Sequence, residues 1–272
     1  MSALPLIHYL SMLRLSGSTV TASSTASGFS AAHLYDLKAY TLWKSDVLTS
    51  PITIDIDCGA GNAEDADALT LVNTNLATLG ATVEILADTF TPPTTVRQAA
   101  FTPSSDHVVL KTFTAPGAFR YWRLSIAHAS PPFAAAPFVG QALLGLKTSI
   151  PERLTAQFDP FTDDVAAVSV RSAGGHYLGS LLQGHAHRDS LSFGEGGIAR
   201  SHFTSDLNAL IEYMKLRKPF AFVLDTSDSD FATARWLRIP DDGRITRRAV
   251  GGSWGRLQPT IPFEEAYMEP AS

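Results

Sequence analysis

Short alternations of apolar and polar residues, broken every few positions by glycine, proline, serine or threonine, run through the first half of this chain. "ITIDID" places Ile52, Ile54 and Ile56 on one face, and "TVEILA" places Val83, Ile85 and Ala87 together. "HVVLKTF" follows, then "RYWRLSI", which aligns Trp122, Leu124 and Ile126. Period-two alternation is the pattern of a half-buried strand. The breaks "DTFTPPTT" and "FTAPGAF" are turn chemistry, and no long helical pattern precedes residue 140. Small polar residues fill positions 16–30, "SGSTVTASSTASGFS", which predicts a connector or an exposed β-edge. Short strands at this spacing predict an antiparallel sandwich or jelly roll.

"ASPPFAAAPF" marks a second break, after which "FVGQALLGLKTSIPERL" leads into a different composition. Strand-like runs continue at "VAAVSV", "HYLGSLLQ", "HAHRDSLSF", "PFAFVL" and "RWLRI". Among them Leu207, Leu210, Ile211 and Met214 follow helical spacing, which predicts one helix near 205–216 with Thr204 as its N-cap. The pattern therefore predicts a mainly β chain: an N-terminal arm over 1–19, an antiparallel jelly-roll β-sandwich over 20–147, and a β-rich α+β domain with one helix over 148–272.

At 272 residues with 45% hydrophobic and 17% charged positions, the composition is that of globular cores rather than a disordered chain. A net charge of −5 argues against nucleic-acid binding and against anionic membranes, which need clustered positive charge. Arg244, Arg247, Arg248 and Arg256 gather locally in "GRITRRAVGGSWGR", which reads as a solvated strand or an interface face. Cys58 is the only cysteine, so no intrachain disulfide and no multi-thiolate zinc site is available. The opening "MSALPLIHYLSMLRL" is apolar but lacks a basic lead and carries His8 and Arg14. It predicts a packing segment rather than a signal peptide or membrane insertion.

Three motifs carry possible chemistry. Gly179, His185 and His187 reproduce the start of the cupin metal motif, and in a strand both imidazoles share a face. Glu195 stands too far along, the second half of the signature is absent, and the only later histidine, His202, approaches the helix. Asp189 shares the face, but so do Leu191 and Phe193, which read as core. A strand with a polar end at an edge or subunit interface is the preferred reading. "GGSWG" satisfies the nucleophile-elbow pattern around Ser253, but Pro259 and Pro262 block the helix that must follow, so Ser253 is expected in a turn. "DCGAGNAEDAD" offers Asp57, Glu64, Asp65 and Asp67 to calcium without EF-hand spacing, which reads as a solvated sandwich loop. No intact catalytic motif emerges, and no cofactor or metal is expected.

Four pieces in order, "SAAHLYDLKAYTLWKSD", "ITIDIDCG", "ALTLVNTNLATLGATVEILAD" and "FRYWRLSI", resemble the discoidin, or coagulation-factor C-type, galactose-binding-like jelly roll. The matched positions are Thr41 to Trp43, Asp57 to Gly59, Asn73 or Asn75, and Trp122 to Leu124. With "FVGQALLGLKTSIP", "SAGGHYLGS" and "KPFAFVLDTSDSDFATARWLRI" added, the chain is similar to minor tail proteins of long-tailed bacteriophages from about residue 20 to residue 265.

That resemblance implies a non-enzymatic virion structural protein at the tail tip or distal ring, assembled in the host cytoplasm. The partners it implies are other tail proteins (tube, hub, tape measure) in a homo-oligomeric ring, with the C-terminal domain a tail-type β-sandwich. Met1 to Leu15 and "FEEAYMEPAS" would be arms that bury on assembly. The alternatives are a carbohydrate-binding module recognising a host surface glycan and, behind it, a cupin-like metalloenzyme at His185 and His187. For a sugar platform Trp43 is expected in the core, leaving mainly Phe90, Phe101 and Phe119 on the loops.

Overall fold

The computed structural model describes residues 5–150, 163–171, 177–192, 198–199, 207–223, 234–250 and 253–266, with backbone alone at 163–171, 177–189, 248, 250 and 253–255. In chain order the strands are β1 (Leu6–His8), β2 (Thr19–Ala22), β3 (Trp43–Lys44), β4 (Ile52–Asp57), β5 (Ala68–Thr74) and β6 (Thr82–Asp88). Then come β7 (Val96–Phe101), β8 (Val108–Thr112), β9 (Tyr121–Ala127), β10 (Phe138–Gly145) and β11 (Thr148–Ser149). After these follow β12 (Asp163–Arg171), β13 (Tyr177–Ser192), β14 (Ile198–Ala199), the helix α1 (Asn208–Lys215), β15 (Phe220–Val223), β16 (Arg235–Arg238), β17 (Thr246–Val250) and β18 (Ser253–Glu265). The chain is mainly β, as its sequence predicts.

Contacts divide the chain into two compact units, one of residues 1–149 with 221–235, the other of residues 150–220 with 236–272. The first unit is an antiparallel jelly-roll-like sandwich. A five-stranded sheet in the order β2-β4-β9-β6-β7 and a four-stranded sheet in the order β3-β10-β5-β8 enclose one core. The alternation explains the layers. In β4 and β9 every second residue is buried, so Ile52, Ile54, Ile56, Trp122, Leu124 and Ile126 point inward and their neighbours face out. Leu69, Leu71, Val109, Val139, Ala142 and Leu144 join the core from the other sheet. The small polar stretch contributes β2, an edge strand paired to β4.

Strands β5 and β10 are buried almost throughout, because the face turned away from the sandwich is covered as well. Gln141, fully buried, accepts from the Leu37 amide at 2.8 Å and donates to the His33 carbonyl at 2.7 Å. His8 Nδ1 lies 2.7 Å from Thr70 Oγ1, and both residues are buried.

From residue 5 on, the opening segment is not a free arm. Leu6–His8 pairs with β11 on one side and β15 on the other, and Leu6, Ile7, Met12 and Leu13 are buried. An apolar run of this kind finds cover within its own unit instead of waiting for a partner.

In the second unit β16-β18-β13-β12 are neighbours in that order, and β14 and β17 also pair with β18. Helix α1 covers Asn208–Lys215 of the predicted span, and residues 205 and 206 of that span lie outside the described residues. Leu207 stands at its N-cap position, and Thr204 lies outside the described residues. Its buried face is the predicted one, Leu210, Ile211 and Met214. The expected C-terminal arm begins inside β18, where Phe263 is buried opposite Asp189. No helix among the described residues is long and apolar enough to cross a membrane.

Candidate functional site

The outward positions of the five-stranded sheet form a groove of about 370 Å³ in the first unit, lined by Thr19 and Thr21, Asp55 and Asp57, Tyr121, and Thr91 with Pro93. Ile56 and Trp122 also border it, but their side chains lie in the core, so they offer the groove their backbone. Register brings these groups together. Thr19 stands opposite Asp57, Asp57 opposite Tyr121, and Tyr121 opposite Asp88; in the next row Thr21 faces Asp55 and Asp55 faces Arg123.

Both carboxylates are held by guanidinium groups. Arg120 grips Asp57 with Nε and Nη2 at 2.7 and 2.9 Å, and Arg123 Nη2 lies 2.8 Å from Asp55 Oδ2 with its Nε on Oδ1. The hydrogen bonds from Arg120 hold the Asp57 carboxyl below its ordinary range, and Asp57 and Asp55 in turn raise the pKa of Arg120 and Arg123. Arg120 also lies over the Tyr121 ring, 4.7 Å from its centroid. Bidentate pairs of this kind fix direction as well as charge.

The far wall is the loop after β6, residues 89–95, and Asp88 anchors it. Its carboxylate accepts from the Thr94 and Thr95 amides at 2.6 and 2.8 Å and from Thr95 Oγ1 at 2.7 Å. Burial pushes the Asp88 carboxyl up, but those hydrogen bonds outweigh it and hold the group below its ordinary range. Phe90, next in the chain to the groove-lining Thr91, is 55% exposed.

Chemically the groove offers hydroxyls, an aromatic ring and two guanidinium-paired carboxylates, of which Asp57 also accepts from the Gly59 amide at 2.9 Å. Each carboxylate is engaged by a guanidinium, and Asp57 is shifted downward, opposite to the raised pKa that a general acid of glycosidic hydrolysis carries.

No family model matches this chain, and no curated protein matches it. Among solved structures it is similar to chitosan-binding module 1 derived from a chitosanase/glucanase of Paenibacillus sp. IK-5, at 22% identity, over 50% of this chain and 98% of the module, with a TM-score of 0.40. A pectin-binding carbohydrate-binding module matches at 14% identity over 46% of this chain and 88% of its own, TM-score 0.37. The CBM32 of AlyQ, in complex with 4,5-unsaturated mannuronic acid, matches at 19% over 46% and 92%, TM-score 0.38.

The structure separates several residues that the sequence grouped. Asp57 serves Arg120, Asp65 accepts from the Ala66 and Gly117 amides, and Asp67 pairs with Lys147 Nζ at 2.6 Å. Among the described residues no three His, Cys, Asp or Glu side chains gather as a metal site. His185 and His187 lie in β13, opposite Val165 and Asp163, but their side chains and that of Asp189 fall outside the described residues, as do Glu195 and His202. Ser253 is not in a turn: it opens β18, opposite Val250. Arg244, Arg247 and Arg256 are exposed on or beside the β17–β18 pair, in line with a solvated strand.

Trp43 is fully buried in the core, as expected, and donates to the Ser24 carbonyl at 3.2 Å. Of the loop aromatics expected on a sugar platform, Phe101 lies in β7, not a loop, and with Phe119 it packs against the core, which leaves Phe90. Asn73 and Asn75 act as clamps: Asn73 Nδ2 donates to the Ala39 carbonyl at 2.7 Å, and Asn75 binds both Ala136 and Phe138. Thr19, Thr21, Asp55 and Tyr121 were not singled out from the sequence. Their signal is the polar half of the alternation, D-x-D on one strand and Y-x-R on its neighbour.

Proposed function

We propose that this chain is a non-catalytic, glycan-binding protein whose jelly-roll unit carries the binding face. The observation behind this reading is the groove, where hydroxyls, fixed carboxylates and an aromatic ring converge on a rigid sheet, the set of groups that sugar recognition uses. Its hydrogen-bonding groups are held by Arg120, Arg123 and Asp88 before any ligand arrives, which lowers the ordering cost of binding. Probing a glycan array with the full chain tests the reading. Retention on a defined subset of glycans is the expected result, and no retention on any glycan refutes it.

A second reading is a structural component of a phage tail, at the tip or distal ring, with tube, hub and tape-measure proteins as neighbours in a ring. It rests on the resemblance of the chain, from about residue 20 to residue 265, to minor tail proteins of long-tailed bacteriophages. The two readings are compatible, since a tail protein that touches the host surface can bind its glycans. Gold label at the distal end of phage tails, from antibody raised against this chain, is the outcome that reading requires. Absence of label on intact and gently opened particles overturns it.

A further inference from the structure

Resting on the glycan-binding reading, we propose that the groove bounded by Thr19, Thr21, Asp55, Asp57 and Tyr121 takes an uncharged sugar, one or two rings long, and selects against uronates and protonated amino sugars.

Charge sets the class. Each carboxylate that lines the groove already has a guanidinium of its own, Asp57 with Arg120 and Asp55 with Arg123, so the face carries two charges of each sign in fixed pairs. An anionic sugar would meet Asp55 and Asp57 at the groove wall with both guanidinium groups already committed. A cationic sugar would compete with those guanidinium groups for carboxylates already satisfied on one edge. A neutral polyol disturbs neither pair. Its hydroxyls donate to the remaining lone pairs of Asp55 and of Asp57 Oδ2, Asp57 Oδ1 being taken by Arg120 Nε and the Gly59 amide, and exchange hydrogen bonds with the exposed threonine hydroxyls.

Size and shape agree. A volume of about 370 Å³ lies near the lower end of small-ligand pockets, which suits a mono- or disaccharide rather than a long chain. The apolar face of a pyranose needs an aromatic surface. Tyr121 lines the groove, and Phe90 stands exposed beside Thr91 on the wall that Asp88 holds in place. Arg120 and Arg123 are positioning residues here: they aim the carboxylates and cancel their charge.

The test is calorimetric titration of the full chain with neutral disaccharides, oligouronates and oligomers of glucosamine, at salt from about 50 to about 500 mM, a range that separates screened from unscreened binding. Neutral sugars should bind with an affinity that salt changes less than about twofold. Tyr121→Ala should weaken that binding about tenfold. Phe90→Ala, a change at an exposed side chain, should weaken it less, and Tyr40→Ala, at an exposed tyrosine the groove does not include, should leave it unchanged. Thermal unfolding of each variant confirms that the fold survives.

Neutral binding that survives both Tyr121→Ala and Phe90→Ala overturns the site but leaves the glycan-binding reading in place. Binding of charged sugars alone, falling with salt, overturns the ligand class and again leaves that reading. Binding of no sugar at all removes both.

Discussion

Replacing Gly140 by alanine probes how tightly β10 is seated between its neighbours. A Cβ at this position would stand 2.8 Å from the Ala39 carbonyl oxygen, 3.0 Å from that of Val72 and 3.1 Å from Asn73 Cβ. The two oxygens are backbone atoms with no rotamer to escape into, and Asn73 Nδ2 anchors the first from 2.7 Å. All three neighbours must give way by a few tenths of an ångström. Overpacking of this kind costs about 1–3 kcal/mol. Alanine in a strand recovers about 0.5–1 kcal/mol of backbone entropy, so the net loss centres on about 1 kcal/mol and reaches at most about 2.5 kcal/mol. For a unit of this size each kcal/mol lowers Tm by about 2–4 °C. Asn73 itself has φ near 53°, a conformation glycine takes without strain. Asn73→Gly removes one of the three contacts and releases the Ala39 carbonyl. The double variant should therefore be more stable than additivity predicts by about 0.5 kcal/mol or more. Thermal unfolding followed by intrinsic fluorescence, to which the buried Trp43 and Trp122 of this unit contribute, measures both quantities. A Gly140→Ala protein as stable as the wild type, or strict additivity, would refute the reasoning.

His8, whose pKa burial lowers to about 3, should stay neutral far below the ordinary imidazole range of 6.5. Between those values the unfolded chain binds a proton that the native chain does not. Stability therefore falls with falling pH across that window, by at most about 1.4 kcal/mol per pH unit from this group. NMR titration of the His8 ring checks this, and a midpoint near 6.5 contradicts the burial. Burial likewise pushes the Cys58 thiol up to about 12, so the native protein should resist alkylation at pH 8 and react only once unfolded. Fast modification without loss of structure would contradict it. Asp88→Ala should leave the Thr94 and Thr95 amides without their acceptor and make residues 89–95 the first site of limited proteolysis. An unchanged cleavage pattern would show that the loop does not depend on this carboxylate.

Much of the fold was legible because its strands are half-buried. Alternation around Ile54 marks β4 at its observed bounds, and Trp122, Leu124 and Ile126 mark β9. Where both faces are covered the signal fails. In β10 the run from Val139 to Gly145 is buried throughout, so its pattern gives neither face nor sheet. The opening segment misled for a related reason, since its apolar residues announce burial without naming a partner, and β15 lies more than 200 residues further along. Strand β7 escaped notice because its residues are partly or fully exposed along the sheet edge. The groove was illegible because it is a product of register: Asp55 and Arg123 are 68 positions apart and meet only when β4 lies beside β9. The acidic loop points the other way, because neighbours in sequence are drawn off to separate partners.

The path of the chain through the first unit imposes a timetable on synthesis. Strand β1 emerges first, yet one of its two partners, β15, belongs to a segment that returns after Ile150–Phe220 has been made. At about 5–20 residues per second those residues keep β1 waiting for several seconds with one edge unpaired. An open, apolar edge invites pairing with another nascent chain on the same message. Slow translation through this stretch should therefore raise the yield of entangled chains, and codon choice between positions 150 and 220 becomes a handle on how cleanly the protein is made.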